Sequence, residues 1–344
     1  MHRLILLLSA CVLLGALATC ASPDRGATLP GTPAPRLGDE IVIAGHLFHT
    51  GAPVVLWFDE GGYDAYRTDK RFARPGEAAW SADSGPATPN RYSARAVQGD
   101  PSRLSDLQRH IDQFVIHYDA AGTSRQCFKI LHDLRGLSSH FLLDLDGTIY
   151  QTLDLKEKAW HATIANDRSI GIEIANIGAY PLDAFATDAI PTPDPHHITT
   201  PQVESSPLAD FYARDKSGYF LTLPGWLGDG GYRTPGYLST YPRPARPLPI
   251  TGEIQGQTLA QFDLTDAQYD SLIRLTATLS TVFPNLPADS PRDAAGRPIN
   301  HALTPDQFAR HRGLLGHYHI QQNKIDPGPA FDWERVVRGA RALR

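Results

Sequence analysis

The sequence predicts an α/β (α+β) fold in which a mixed central β-sheet is flanked by helices. Three observations carry that expectation. Strand-like and helix-like apolar patterns alternate along the chain. The runs Phe141–Asp144 and Thr148–Gln151 flank Asp146-Gly147, a dipeptide that strongly signals a hairpin turn. Ser169–Ala175 sets Ile170, Ile172 and Ile174 on one face and Gly171, Glu173 and Ala175 on the other, the pattern of a strand with two unlike sides.

From the N-terminus, Arg3 and the apolar run Leu4–Leu17, followed by Ala16, Ala18 and Thr19, have the grammar of an export signal over residues 1–20. Two cleavage readings compete. Ala16-x-Ala18 suits an ordinary signal peptidase, whereas Leu17-Ala18-Thr19-Cys20 resembles a lipobox that would place lipid on Cys20. Ala21, rather than Asp, follows Cys20, so the lipobox reading implies a periplasmic protein anchored to the outer membrane. Residues 21–36 read as a tether and 37–104 as an N-terminal extension packed on the core. Within the extension, Ile41–Ile43 and Val54–Trp57 are expected to form a hairpin closed by Gly61-Gly62.

The main domain spans 105–344. Ser105-x-x-Gln108 predicts a capped helix, Phe114–Ile116 a buried strand ending on His117, and Arg125–Leu134 a second helix. Twelve of the 28 prolines fall between Pro181 and Pro249, so 180–262 reads as a Pro-rich insertion without regular helix or central strand. Its aromatic content predicts that it packs on the domain surface. Thr265-x-x-Gln268 opens a helix with Leu272, Leu275, Leu279 and Val282 on one stripe, and Thr304-Pro305-x-Gln307 caps a shorter one. Leu314–His317 predicts a strand, and Trp333, Val336, Val337 and Ala340 a C-terminal helix.

Composition narrows the function. With 344 residues, 42% of them hydrophobic and 20% charged, the chain has globular composition. A net charge of −5 and no basic patch exclude nucleic acid as a partner, which would demand a cationic face. Cys11 and Cys20 lie in or beside the signal, leaving Cys127 alone in the domain, so any metal must be held by histidine and carboxylate. His117 and His317 at strand ends and Asp326 before Pro327-Gly328 form one candidate set of three ligands. Taken singly, each reads equally as a structural or turn residue. Glu173 reads as a general base or as a solvated carboxylate, and Lys324 as an oxyanion stabiliser or an exposed loop lysine.

The segments Phe114–Tyr118, Ser139–Phe141, Asp146–Gln151, Ala159-Trp160-His161-Ala162, Ser169–Glu173 and Gly316-His317 through Lys324-x-Asp326-Pro327-Gly328-Pro329 occur in this order. Together they resemble the type-2 N-acetylmuramoyl-L-alanine amidases, relatives of the peptidoglycan-recognition proteins. The resemblance covers roughly 110–180 and 262–338. It implies one Zn2+ held by His117, His317 and Asp326, with Glu173 as catalytic carboxylate and Lys324 on the oxyanion. It also implies that His161 and Trp160 lie on the substrate side of the groove. The implied partner is peptidoglycan or a muropeptide, cut between N-acetylmuramic acid and L-alanine. A muropeptide-binding module without activity and a zinc peptidase acting within the stem peptide remain as alternatives.

Overall fold

The computed structural model describes residues 35–72, 91–185, 208–227 and 242–344. The chain divides into Met1–Arg36 and Leu37–Arg344. The export signal, Cys20, most of the tether and Pro191–Pro207 lie outside the described residues.

In chain order the strands are β1 (Glu40–Ile43), β2 (His46–His49), β3 (Val54–Leu56), β4 (Tyr92–Ala94), β5 (Gln113–Tyr118), β6 (Phe141–Leu143), β7 (Ile149–Gln151), β8 (Glu157–Ala159), β9 (Ser169–Ile174), β10 (Ala179–Tyr180), β11 (Tyr212–Asp215), β12 (Gly218–Leu221), β13 (Ile250–Ile254), β14 (Gln257–Gln261) and β15 (Gly313–Gly316). The helices are α1 (Leu104–His110), α2 (Ser124–Phe128), α3 (Leu208–Phe211), α4 (Asp266–Val282), α5 (Pro305–Arg310) and α6 (Trp333–Ala342). A six-stranded mixed sheet, ordered β15-β5-β9-β6-β7-β3, forms the centre. Only β6 and β7 run antiparallel, joined through the turn at Asp146-Gly147.

The two faces of this sheet have different work. Phe114, Ile116, Ile170, Ile172, Ile174 and Leu314 project into one core cluster with Leu272, Leu275 and Leu279 of α4 and Val336 of α6. Helix α4 starts where its sequence says it should. Thr265 Oγ1 accepts from Gln268 N and the Gln268 side chain accepts from Thr265 N, which satisfies two otherwise orphaned donors. Successive strand residues alternate sides, so Val115, His117, Gly171 and Glu173 leave from the opposite face. That face carries the site.

Several local expectations are corrected. Ile41–Ile43 pairs with β2 across Ala44-Gly45, both at positive φ, not with Val54–Leu56. Val54–Leu56 instead adds a parallel edge strand to β7. Helix α1 begins after Arg103 with no side-chain cap, so Ser105 sits inside the first turn. The 125–134 helix is a short α-helix that continues as a π-helix, Lys129–Arg135, ended by Gly136 in the left-handed region. Between 180 and 262 the chain forms two antiparallel hairpins outside the central sheet, β11–β12 and β13–β14. Prolines at 224, 242, 244, 247 and 249 fall between these strands rather than within them, which reconciles the composition with the pairing. Leu208, Tyr212, Tyr219 and Leu221 bury themselves against Phe262, with Tyr212 stacked on it at 3.9 Å between centroids. Among the described residues no helix is long and apolar enough to cross a membrane.

Candidate metal centre and active-site cleft

Register brings the first two functional side chains together. In the parallel pair β5–β9, His117 lies opposite Glu173, so both leave the same face about one strand spacing apart. β15 pairs with β5 up to Gly316 and Ile116, which delivers His317 beside His117. Gly316 is needed there: a Cβ on it would fall 2.7 Å from Cδ of Pro327, the residue after Asp326. The close approach permitted by that glycine is to the loop carrying the third group.

Asp326 completes a buried trio. Its Oδ2 lies 2.8 Å from His117 Nδ1 and 3.1 Å from His317 Nδ1. One donor atom from each of the three residues lies within 4.8 Å of the others. Tetrahedral zinc with ligand bonds of 2.0–2.1 Å needs donors roughly 3.3–3.4 Å apart. A spread of a few tenths of an ångström would therefore admit the ion. The outer nitrogens point to the same conclusion. His317 Nε2 lies 2.7 Å from Gln321 Oε1, which only accepts, so this nitrogen carries the proton. His317 Nδ1 faces the Asp326 carboxylate, and a cation bound between them would take the place of a proton on that nitrogen. His117 Nε2 meets His161 Nδ1 at 3.1 Å. Both candidate histidines thus have a partner at the outer ring nitrogen, as a metal-bound imidazole needs.

The electrostatics separate the carboxylates. Burial alone would raise Asp326, but the hydrogen bonds from His117 and His317 outweigh it and hold the group well below the usual carboxylate range. Burial pushes Glu173 well above its ordinary value, and repulsion from Asp326 and Asp119 adds to this. Lys324 and Arg135 oppose that rise without cancelling it. Burial, then the neighbouring His317, pushes His117 down to about 4, which keeps its ring neutral and fit to ligate. Burial likewise drives His161 well below its usual value.

All seven residues named from the sequence line one cleft of about 300 Å³: His117, Trp160, His161, Glu173, His317, Lys324 and Asp326. A second lobe of about 570 Å³ shares Trp160, His161, His317 and Lys324 and extends over Lys158 and Ile164. Gln321, Asn166 and Ser169 escape the sequence reading because their roles depend on contacts. Asn166 Oδ1 accepts from the backbone N–H groups of His161 and Ala162, and Ser169 Oγ lies 3.2 Å from His161 Nε2.

The family model described as N-acetylmuramoyl-L-alanine amidase matches residues 107–206. That segment carries an amidase domain of this family. The matched segment holds His117, His161 and Glu173. The geometry of the amidase then draws His317, Lys324 and Asp326 from beyond it. Solved structures similar to the amidase include one described as the crystal structure of a Se-Met AmpD derivative, at 19% identity and a TM-score of 0.32, covering 79% of this chain and 98% of that one. Another is the endolysine N-acetylmuramoyl-L-alanine amidase LysCS from Clostridium intestinale URNW, at 15% identity and a TM-score of 0.32, covering 68% and 86%. No curated protein matches the chain.

His317 and His319, two residues apart, are separated by the backbone. The strand does not continue through them; His317–His319 is a 3-10 turn. His319 turns away from the trio, with Nδ1 accepting from Gly316 N at 2.8 Å and Nε2 donating to Ile299 O at 2.8 Å. His317→Ala is therefore expected to lose bound metal. His319→Ala should keep metal while melting at lower temperature, because the buried Gly316 N–H loses its acceptor, at about 1–3 kcal/mol, and the half-buried Ile299 carbonyl loses its donor. Metal stoichiometry and thermal melts of both variants check this; metal lost from His319→Ala alone would reverse the assignment.

Proposed function

We propose that the amidase is zinc-dependent and hydrolyses the amide between N-acetylmuramic acid and L-alanine in peptidoglycan or muropeptides. The observation that carries this reading is the convergence of His117, His317 and Asp326 at the floor of a cleft beside Glu173. Two imidazoles and one carboxylate, all buried, suit zinc and leave a fourth position open. When bound, zinc supplies a Lewis acid that polarises a carbonyl and acidifies water.

The chain's own residues supply the remaining roles. Glu173, in register with His117, is placed to take a proton from attacking water and to return it to the departing amide nitrogen. Its raised affinity for protons suits both transfers. Lys324 lines the same cleft within electrostatic reach of Glu173 and His117, where its ammonium can face negative charge developing on the carbonyl oxygen. Trp160, about a third exposed, offers a flat apolar surface at the junction of the two lobes for the substrate to lie against. The binding-module alternative leaves the half-buried carboxylate of Glu173 beside the trio unexplained.

The export signal and lipobox support a further reading, in which Cys20 carries lipid and tethers the enzyme to the outer membrane in the periplasm. Cys20→Ala should then move the protein from the membrane to the soluble periplasmic fraction; unchanged fractionation would remove lipid from the account.

Digestion of defined peptidoglycan should yield intact stem peptides and peptide-free glycan by mass spectrometry, whereas cleaved stems would indicate a peptidase. Glu173→Gln should lower turnover by roughly 10²–10⁴-fold with zinc retained. The same variant should stabilise the zinc-free protein. A carboxyl raised above 4.5 keeps its proton in the folded state where the unfolded chain has released it. Folding with Glu173 therefore becomes costlier as pH rises above about 4.5 and through the raised value. The melting advantage of Glu173→Gln should appear at neutral pH and fade towards pH 4. A constant difference across that range would show that Glu173 is not held in its protonated form.

A further inference from the structure

Arg95 lies before the segment that the family model matches, at the end of β4. Its side chain is buried, and among the described residues it forms no ion pair. Its donors go to one loop instead. Nε donates to Leu155 O at 2.9 Å, Nη1 to Asn166 O at 3.2 Å and Asp167 O at 2.5 Å, and Nη2 to Ser169 O at 2.8 Å. Nη2 also lies against Nε2 of His140, 3.0 Å away. Burial lowers the guanidinium to about 9, which leaves it charged at neutral pH. A buried cation whose donors go mainly to backbone carbonyls is a costly arrangement, and it is kept here where it fastens both ends of the turn that follows His161.

The fastened residues are those that hold His161. Asn166, gripped at its carbonyl by Arg95, uses its side chain to accept from His161 N at 3.1 Å and Ala162 N at 2.6 Å. Ser169, gripped likewise, presents Oγ to His161 Nε2. β4 pairs with β8, the strand that leads into Trp160-His161, so the same segment braces the loop from its other side. The His161 ring rests on Gly171, where a Cβ would come within 2.6 Å of Nδ1. The ring therefore has one seat, and in it Nδ1 meets His117 Nε2.

We propose that Arg95 is a positioning residue of the amidase: by clamping the loop from Leu155 to Ser169 it seats His161 against His117 and so fixes the orientation of a metal ligand. The hydrogen-bond directions fit. With a cation on His117 Nδ1, the ring proton sits on Nε2 and is donated to His161 Nδ1. The His161 Nε2–H is then donated to Ser169 Oγ, and no group in the row is left unpaired. The inference rests on the zinc reading above.

The test is zinc affinity, measured by chelator competition on the full chain, for wild type, Arg95→Lys, His161→Ala and the double variant. Lysine keeps the charge but cannot reach four carbonyls with one compact head group. Each single variant is expected to bind zinc about 10–100-fold more weakly, the usual range for an outer partner of a ligand. The double variant should bind no more weakly than the worse single one, because both changes act through one contact. Wild-type affinity in Arg95→Lys, or losses that multiply in the double variant, would overturn the proposal. Asn166→Ala guards against a folding defect, since it cuts the link between clamp and His161 without disturbing the buried guanidinium. It should reproduce the loss, and wild-type affinity in Asn166→Ala overturns the proposal whatever Arg95→Lys does. A wild-type protein that binds no zinc would instead remove the metal reading itself.

Discussion

The buried carboxylate of Asp326, faced by the Nδ1 atoms of two histidines, is the constraint from which the rest of the site follows. Such a group is costly to bury unless positive charge or donated protons answer it. Three separate parts of the chain must meet to provide that answer: the end of β5, the turn after β15 and the loop before Pro327. The parallel pairing of β15 with β5 brings the histidines side by side, and Gly316 leaves room for the Asp326 loop to close over them. Without a core that fixes these strands, the three groups would repel or hydrate separately. The isoleucine face of β9, packed on α4 and α6, thus serves the chemistry on the opposite face.

That opposite face also sets the division of labour between carboxylates. Glu173 and Asp326 share a cleft, yet one is driven above its ordinary range and the other below it. The cause is their partners. Asp326 receives two imidazole contacts, whereas Glu173 is half-buried and largely desolvated near other negative groups, with Lys324 and Arg135 compensating only in part. A carboxylate with a depressed value makes a permanent ligand, and one with a raised value can exchange a proton. A cation held by the trio would lower Glu173 again by simple attraction, so binding of metal and readiness of the base are physically coupled.

Where local chemistry decides structure, the sequence was legible. The β9 alternation, the Asp146-Gly147 hairpin and the capping boxes at Thr265 and Thr304 are all found where short-range rules put them. That the candidate site residues share one cleft was legible for a different reason, the ordered motifs of the resemblance, since His117, Glu173 and Asp326 taken singly read as ordinary. What failed was pairing over distance. Ile41–Ile43 and Val54–Leu56 both look like strands, but nothing in their composition says that one turns back at Ala44-Gly45 while the other crosses to β7. The prolines between Pro181 and Pro249 concealed two hairpins for the same reason, because a proline between strands and a proline within one have the same composition. Strand periodicity alone does not separate His317 from His319, and the choice of His317 rests on Gly316 and the resemblance; the 3-10 turn gives the two rings different partners.

Arg91 and Arg95 show how far this limit reaches. They stand four residues apart in a stretch with no apolar pattern, where arginine ordinarily means solvent. Both are buried, and both are spent on backbone carbonyls: Arg91 on His132 O and Arg67 O, Arg95 on the loop around His161. A guanidinium fork is the one side chain able to gather several carbonyls from separate segments at once. Among the described residues the short strand between them, β4, pairs only with β8, and Tyr92 is its one large apolar side chain. Its place beside β8 is therefore set by these two arginines together with Tyr92, which packs on the cluster of Tyr63 and Tyr150, rather than by a hydrophobic stripe. Segments held in this way leave no periodic signal, because the partners are main-chain groups that every sequence contains. The catalytic face of this amidase is thus completed by a segment whose role only its contacts disclose.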